Sequence, residues 1–468
     1  NPPKTVMQDK TIETSFADTG CQIELIPEYV ENLLQLEAVA CKDWLTNKVD
    51  RSVTGLVAKQ QTCGALQLPL NNMSITALDY VGHRGVGSSL GHAPAAGIIN
   101  PAHGSVLSIA EALTNIIWAP IEGGIKGVSL SANWMWPCRR EGEDARLYAA
   151  VKASGDFAIS LGINIPTGKD SLSMTQKYKD GSEVYSPGTV IISAAAEVSD
   201  FTRAVEPAAC DKPGSHIIYI DFSSDSFKTG GSAFAQSLNS LGGNDTPDVK
   251  DASYFVKAFE TVQKLVEQQL LLAGHDISAG GMIVTLLEMC FPTPKAGMEI
   301  NLDEIPEENL VKILFSENPG IIIQTEHPSV EKILADNQIR YYTIGHYSRD
   351  NRVRIVKSGR SFDFDVSRLR DTWFKTSYLL DRDQSGPELA EKRFVHYKNH
   401  VLDFRFPKGF TGKLSQFGIS KARTGFTGIK SAIIREKGVN GDREMAYMMY
   451  LAGFDVKDVH MTDLISGR

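Results

Sequence analysis

Short apolar runs alternate along this chain with longer stretches whose apolar residues recur every three or four positions. That pattern predicts strands interleaved with helices. LQLPL, MSITALDY, KGVSLSAN and GTVIISAAAEV read as strands, and SVLSIAEALTNIIWA and EDARLYAAVKASGDFAISLG read as helices. Ahead of them, PEYVENLLQLEAVACKDWLTNK has the spacing of one amphipathic helix after a polar lead. At residues 200–214, DFTRAVEPAACDKPG mixes charge with two prolines and reads as a domain boundary. A second block starts on the strand HIIYIDF. It passes a Gly-Gly turn to a helix from Ser232 and a longer one across 252–273, and GIIIQT and VRIV are later strands. Residues 376–428 lose the rhythm and read as a linker on the surface. GIKSAIIRE then reads as a buried strand, REMAYMMYLAGF as a helix and FDVKDVHM as a second strand, the opening βαβ of a parallel-sheet domain.

The expected organisation is therefore a lead segment and helix (1–46), two α/β domains (47–205 and 206–375), a linker (376–428) and a short third unit (429–468). Forty residues of βαβ cannot bury both faces of a sheet, and the chain has no initiator methionine, so a piece of a longer polypeptide is expected. Charged residues at 22% and hydrophobic ones at 42% are globular values. A net charge of −8 without a Lys/Arg cluster argues against nucleic acid as a partner. No apolar run approaches the roughly 18 residues of a membrane span. Six scattered cysteines without a C-x-x-C pair fit a reduced, cytoplasmic protein and argue against zinc.

Three places carry candidate chemistry. Glu111 and Asn115, spaced i, i+4, share one face of a largely apolar helix. They suit a hard cation such as Mg2+, or form a polar stripe facing water. Asp276 and Ser278 precede a Gly-Gly helix start, where they cap the helix or hold an ion or phosphate at its positive end. His275 beside them reads as a structural hydrogen-bonding partner. GINIPTGKDSLSM misses the P-loop spacing by one residue, leaving Gly168, Lys169, Asp170 and Ser171 as a loop after a strand, either a bland turn or a polar site. Together these favour a magnesium–nucleotide site over a nucleophilic hydrolase, because no G-x-S-x-G or paired Cys/His signature is present.

LSANWMWPCRREGEDARLYAAVKA, GKDSLSM, EALTN, HDISAGG and the closing AIIREKGVNGDREMAYMMYLAGFDVKDVHMTDLISGR resemble, in this set, the large single-chain phosphoribosylformylglycinamidine synthases of purine biosynthesis. The resemblance runs from about Lys42 to the last residue. It implies an α/β (α+β) fold with N- and C-terminal domains like those of aminoimidazole ribonucleotide synthetase, followed by the first βαβ of a class I, flavodoxin-like glutaminase. It implies a carbon–nitrogen ligase that uses ATP and Mg2+ to convert formylglycinamide ribonucleotide to formylglycinamidine ribonucleotide, with ammonia drawn from glutamine and ADP released.

Carried over by motif, Glu111, Asn115 and Asp276 match magnesium ligands, Ser278 a nucleotide contact and Lys42 a phosphate partner. Where the family commonly has an aspartate ligand, this chain has Asn72, preceded by Asn71, and an amide there brings no negative charge. Gly168, Lys169, Asp170 and Ser171 align with a loop that contacts substrate and metal in the shorter form of the enzyme, with Asp170 as the metal donor. The resemblance supplies no catalytic residue: the synthase histidine belongs to a first half, and the glutaminase Cys, His and Glu lie beyond Arg468. The chain alone is expected to be inactive as a glutaminase and nearly so as a synthase. Competing readings are a non-catalytic magnesium–nucleotide scaffold, or another member of the superfamily such as a selenophosphate synthetase or thiamin-phosphate kinase.

Overall fold

The computed structural model describes residues 20–46, 48–49 and 51–467. The lead before residue 20 lies outside them. Two mixed sheets form the body. The first uses Val57–Lys59 (β1), Met73–Ala77 (β2), Gly85–Gly91 (β3), Ser129–Met135 (β4), Asn164–Ser171 (β5) and, after a separate hairpin of Thr175–Lys177 (β6) and Glu183–Tyr185 (β7), Thr189–Val198 (β8). Its order is β1-β2-β3-β8-β4-β5, with β4–β5 parallel. The second uses His216–Asp221 (β9), Ala273–Asp276 (β10), Gly297–Asn301 (β11), Gly320–Thr325 (β12), Tyr341–Ser348 (β13), Arg352–Lys357 (β14) and Arg360–Asp365 (β15). Its order is β10-β12-β9-β13-β11-β14-β15. A third, two-stranded parallel sheet pairs Lys430–Arg435 (β16) with Asp455–His460 (β17).

The helices in chain order are Ile26–Gln35 (α1), Asp43–Thr46 (α2), Pro94–Ile99 (α3), Pro101–Ile116 (α4), Glu143–Leu161 (α5), Ala233–Ser237 (α6) and Ala252–Glu267 (α7). They continue with Gly281–Cys290 (α8), Leu310–Phe315 (α9), Ser329–Asp336 (α10), Val366–Ser385 (α11), Pro387–His396 (α12), Asp442–Leu451 (α13) and Met461–Ile465 (α14). None is long and apolar enough to cross a membrane, among the described residues.

Along β9, alternate side chains enter different cores. Ile217 and Tyr219 join a cluster with α1, α8 and α11, while Ile218 and Ile220 join one with α4, α7 and β8. The second core is thus shared by both large sheets, and α4 lies inside it. Strand β3 alternates strictly, with Gly85, Gly87, Ser89 and Gly91 inward. At Gly91 a Cβ would collide with Ser108 O and Ala112 N, so only glycine lets β3 run backbone to backbone against α4.

Four expectations fail here, each for a tertiary reason. The single helix across 27–48 ends at Gln35, and Leu36 is extended. Residues 36–42 form a strap tied to α11: Trp373 Nε1 donates to Val39 O (2.9 Å), and Cys41 N donates to Trp373 O (3.1 Å). The strap's own Lys42 Nζ donates to Glu37 O (2.7 Å), so these bonds replace a helical ladder. LQLPL is no strand; it contributes one bridge, Cys63–Leu68, before Pro69 removes a donor. The linker 376–428 opens as helix, since α11 continues to Ser385 and α12 follows, with Tyr397 stacked on Phe374 at 4.1 Å. Its polar sequence reflects helices that bury one edge. GIKSAIIRE is a strand but not a buried one: β16 is exposed at every position except Ser431 and Ile433, which are partly covered, because one helix, α13, packs on a single face. The βαβ unit rests on the first domain through Tyr447, stacked 4.1 Å from Tyr80.

Trp373→Ala removes a fully buried indole and the bond that pins the strap. The expected cost is about 3–5 kcal/mol in denaturant unfolding. A loss below about 1 kcal/mol would show that the strap is held by something else.

Candidate functional site

The strap, strands β1–β3 and the turn after β10 enclose a cavity of about 850 Å3. Glu111 and Asn115 face it from α4, Asn71 and Asn72 from the entry to β2, and Ser278 from the turn, with Lys42 on the strap. Six of the residues expected from sequence therefore meet in one place.

Helix α4 is buried on nearly all sides; Asn115 is buried with it, and Glu111 keeps 22% of its side chain exposed where it lines the cavity. Glu111 Oε2 accepts from His92 N at 2.6 Å. Burial, with added repulsion from Asp276, pushes its carboxyl up to about 8. Asn115 Nδ2 donates to Leu90 O (2.9 Å), turning Oδ1 away from that bond. Asp276 ends β10, fully buried. Its Oδ1 accepts from Asn72 Nδ2 (2.9 Å) and faces His275 Nδ1 at 3.2 Å. His275 Nε2 meets Glu288 Oε2 at 3.0 Å. Burial pulls the imidazole down, but the Asp276 and Glu288 carboxylates outweigh it and raise it to about 10. His275 is therefore a cation that offsets a buried carboxylate.

Three buried oxygens of residues in this wall, Gln60 Oε1, Asn71 Oδ1 and Asn115 Oδ1, have no hydrogen-bond partner among the described residues, and neither has Asp276 Oδ2, which lies behind the wall against Asn72. Unsatisfied buried acceptors are rare and call for a ligand, ion or water. Two lysines add positive charge to the same cavity. Burial lowers Lys42, and it lowers Lys59 to about 8, with Lys59 Nζ donating to Val205 O. Among the described residues no three His, Cys, Asp or Glu side chains cluster as a metal centre. The donor set is instead two carboxylates with amide oxygens, the oxygen-only chemistry of magnesium.

A smaller chamber of about 190 Å3 adjoins through Glu111, His92 and Ser278. Glu317 lines it, and its Oε1 accepts from Gly280 N and Ala233 N, each at 2.7 Å. Glu317 thereby serves the N-termini of both α8 and α6. The capping role expected for Asp276 and Ser278 falls to it, because α8 starts at Gly280, which has φ of 97° and no side-chain cap. Burial raises Glu317 to about 7 despite those two donors.

Gly168, Lys169, Asp170 and Ser171 are not part of this site. They lie in β5 rather than in a loop, on the edge of the first sheet, paired with Ala132–Met135 of β4. Strands β8 and β4 separate them from β3, and none lines the cavity. Sequence reasoning missed Lys59, Glu288 and Glu317. Each is a lone charge beside or within an apolar run (GLVAKQ, MIVTLLEMC, ILFSENPGIII), and that isolation was the available signal.

The FGAR-AT PurM_N-like domain family matches residues 41–197, and the AIR synthase related protein C-terminal domain matches 212–358. A CobB/CobQ-like glutamine amidotransferase domain matches 429–468. Phosphoribosylformylglycinamidine synthase of Homo sapiens is 36% identical over 94% of this chain, and that of Dictyostelium discoideum 35% identical over 100%. The chain belongs to the phosphoribosylformylglycinamidine synthase family. It spans about a third of those relatives, 33% and 37% of their lengths. Among solved structures, T. maritima PurL complexed with FGAR aligns with a TM-score of 0.56 at 14% identity, covering 74% of this chain and 53% of that one. T. maritima PurL complexed with ADP gives 0.53 at 14%, over 73% and 51%. At these identities the likeness speaks for the fold alone; with the three family matches it gives PurM-like N- and C-terminal domains and a glutaminase-like start.

Glu317 generates a pH prediction. Its carboxyl is raised from 4.5 to about 7 in the folded chain, so between those values the native state holds a proton that the unfolded state has released. Glu317's contribution to stability should fall by up to about 3 kcal/mol as pH rises through that window, alongside a separate decline from Glu111, which is raised to about 8. Glu317→Gln keeps the acceptor and should remove its part of the decline in urea titrations at pH 5 and 8; an unchanged slope would assign the decline elsewhere.

Proposed function

We propose that the central cavity binds a magnesium–nucleotide. On this reading the chain serves as the second synthetase-like half of an ATP- and glutamine-dependent carbon–nitrogen ligase, one that converts formylglycinamide ribonucleotide to formylglycinamidine ribonucleotide. One observation carries the reading: Glu111, Asn115 and Asn72 meet in a wall that also bears Lys42 and Lys59, with Asp276 bonded behind Asn72, and buried oxygens there lack partners. Glu111, Asn115 Oδ1 and Asp276 Oδ2 would hold Mg2+. Mg2+ held by these residues would supply positive charge to offset that of a bound phosphate. Lys42 and Lys59 are placed to meet phosphate from other parts of the wall, and Ser278 offers a hydroxyl. Structures of T. maritima PurL complexed with ADP, AMPPCP and ATP, and with FGAR, support nucleotide and substrate as ligands. Ammonia would come from glutamine through a glutaminase of which residues 429–468 are the start. We place this chemistry in the cytoplasm.

Asn72 adjusts the site rather than abolishing it. Its amide donates to Asp276 Oδ1 and leaves the carboxylate's other oxygen without a partner, so that oxygen would be available to an ion without a third negative charge at the site.

A second reading has its own support. The 168–171 segment, expected to touch substrate, stands across the sheet from the cavity. A nucleotide here would then be structural, holding α4, β10 and the strap together without turning over.

Both readings require binding. Mg·ADP at 100 times its Kd should stabilise the chain by about 2.7 kcal/mol in thermal unfolding. EDTA, Glu111→Gln or Asp276→Asn should abolish the gain; a gain that survives them moves the site. Catalysis is separated from scaffolding by turnover when the other regions of the family's longer chains are supplied. Asn72→Asp should tighten Mg2+ while costing the metal-free chain about 1–3 kcal/mol, since it faces one buried carboxylate with another.

A further inference from the structure

Behind the strap lies another hollow, of about 400 Å3, walled by Asp43, Lys48, α12 and the turn that follows it. Lys48, Lys392, Arg393, His396 and His400 line it, against the single carboxylate of Asp43. Asp381 and Glu388 stand behind Arg393 and Lys392, so the hollow is rich in N–H donors with its fixed charges largely compensated. It is also rigidly built. Asp43 and Asp381, 2% and 4% exposed, hold Arg393: Nε lies 2.7 Å from Asp43 Oδ2, and an Arg393 terminal nitrogen lies 3.8 Å from Asp381 Oδ2. Tyr397 is stacked on Phe374, and its hydroxyl donates to Asp371 Oδ1 at 2.6 Å. Asp43 Oδ1, buried in the same wall, has no hydrogen-bond partner among the described residues.

We propose that this hollow is a second small-molecule site, one that takes a phosphate monoester on a hydroxyl-bearing body, the chemistry of a sugar phosphate. Lys48, Lys392, His396 and His400 supply donors for the phosphate, where charge-assisted bonds are the strong ones. Lys392 is paired with Glu388 at 2.7 Å, but both side chains are mostly in water, so exchanging that partner costs little. A ligand hydroxyl satisfies Asp43 Oδ1. Burial lowers Lys48, a penalty that an anion relieves. The site is separate from the central cavity yet shares its wall: Asp43 faces the basic hollow, while the preceding residue, Lys42, faces the central one. An occupant would brace the strap from behind.

The test is calorimetric titration of the 468-residue chain at low ionic strength with ribose 5-phosphate and, separately, inorganic phosphate. One ribose 5-phosphate per chain is expected. Lys392→Gln/His396→Gln should weaken it about tenfold or more, and Lys48→Gln about threefold. Glu111→Gln, in the central cavity, should leave it unchanged, which separates failure here from failure of the nucleotide reading. Inorganic phosphate should bind about threefold more weakly, because it leaves Asp43 unmet. Should the double variant lose its unfolding transition, His400→Gln on the turn replaces it. The proposal is overturned by no saturable binding below about 10 mM, by affinity that survives the folded variants, by loss in Glu111→Gln, or by equal affinity for the two probes.

Discussion

A carboxylate buried completely at the end of β10 constrains everything near it. Asp276 has no water to solvate it, and an isolated buried charge would neutralise itself or unfold its surroundings. The chain compensates on one oxygen alone. Asn72 and His275 meet Oδ1, and Glu288 keeps His275 protonated. The other oxygen is left without a partner. Half-satisfied polar networks are costly, so they persist where a ligand completes them. The residues that would share that ligand, Glu111 and Asn115, arrive on a helix that two sheets hold from either side.

That arrangement explains why the site is made by the junction of two domains. Core packing fixes α4 between the sheets, and Gly91 brings β3 against it closely enough for His92 N to reach Glu111. Strand β12, buried along its whole length, pairs with β10 and holds it in the second sheet, so Asp276 and Ser278 come from the second domain while Asn71, Asn72 and Glu111 come from the first. A shift between the sheets would part the donors. Burial of both faces of β9 and β12 makes such a shift expensive.

How much of this was legible depended on whether the decisive contact was local. Helices α4 and α5 and strands β9 and β12 show periodicity or apolar runs that agree with their burial, and the pairing of Glu111 with Asn115 follows from helical spacing alone. The strap was not legible, because the group that stops the helix is Trp373, 334 residues away. Strand β5 was misread because it sits on a sheet edge with little buried surface, so no alternation marks it. Glu288 and Glu317 work through partners from other elements, His275 and the α6 and α8 termini. A lone charge in an apolar run flags such a residue without saying what it meets.

The strap is where these local failures acquire a consequence. The strap turns at 36–40 and passes into α2 at Asp43, so the neighbouring residues Lys42 and Asp43 line different hollows. Lys42 reaches the central cavity and Asp43 the basic hollow, while Trp373 and Ser377 of α11 hold the backbone between them, the latter accepting from Trp44 N at 2.8 Å. Two sites separated by one restrained segment are coupled to the extent that each prefers the same strap geometry.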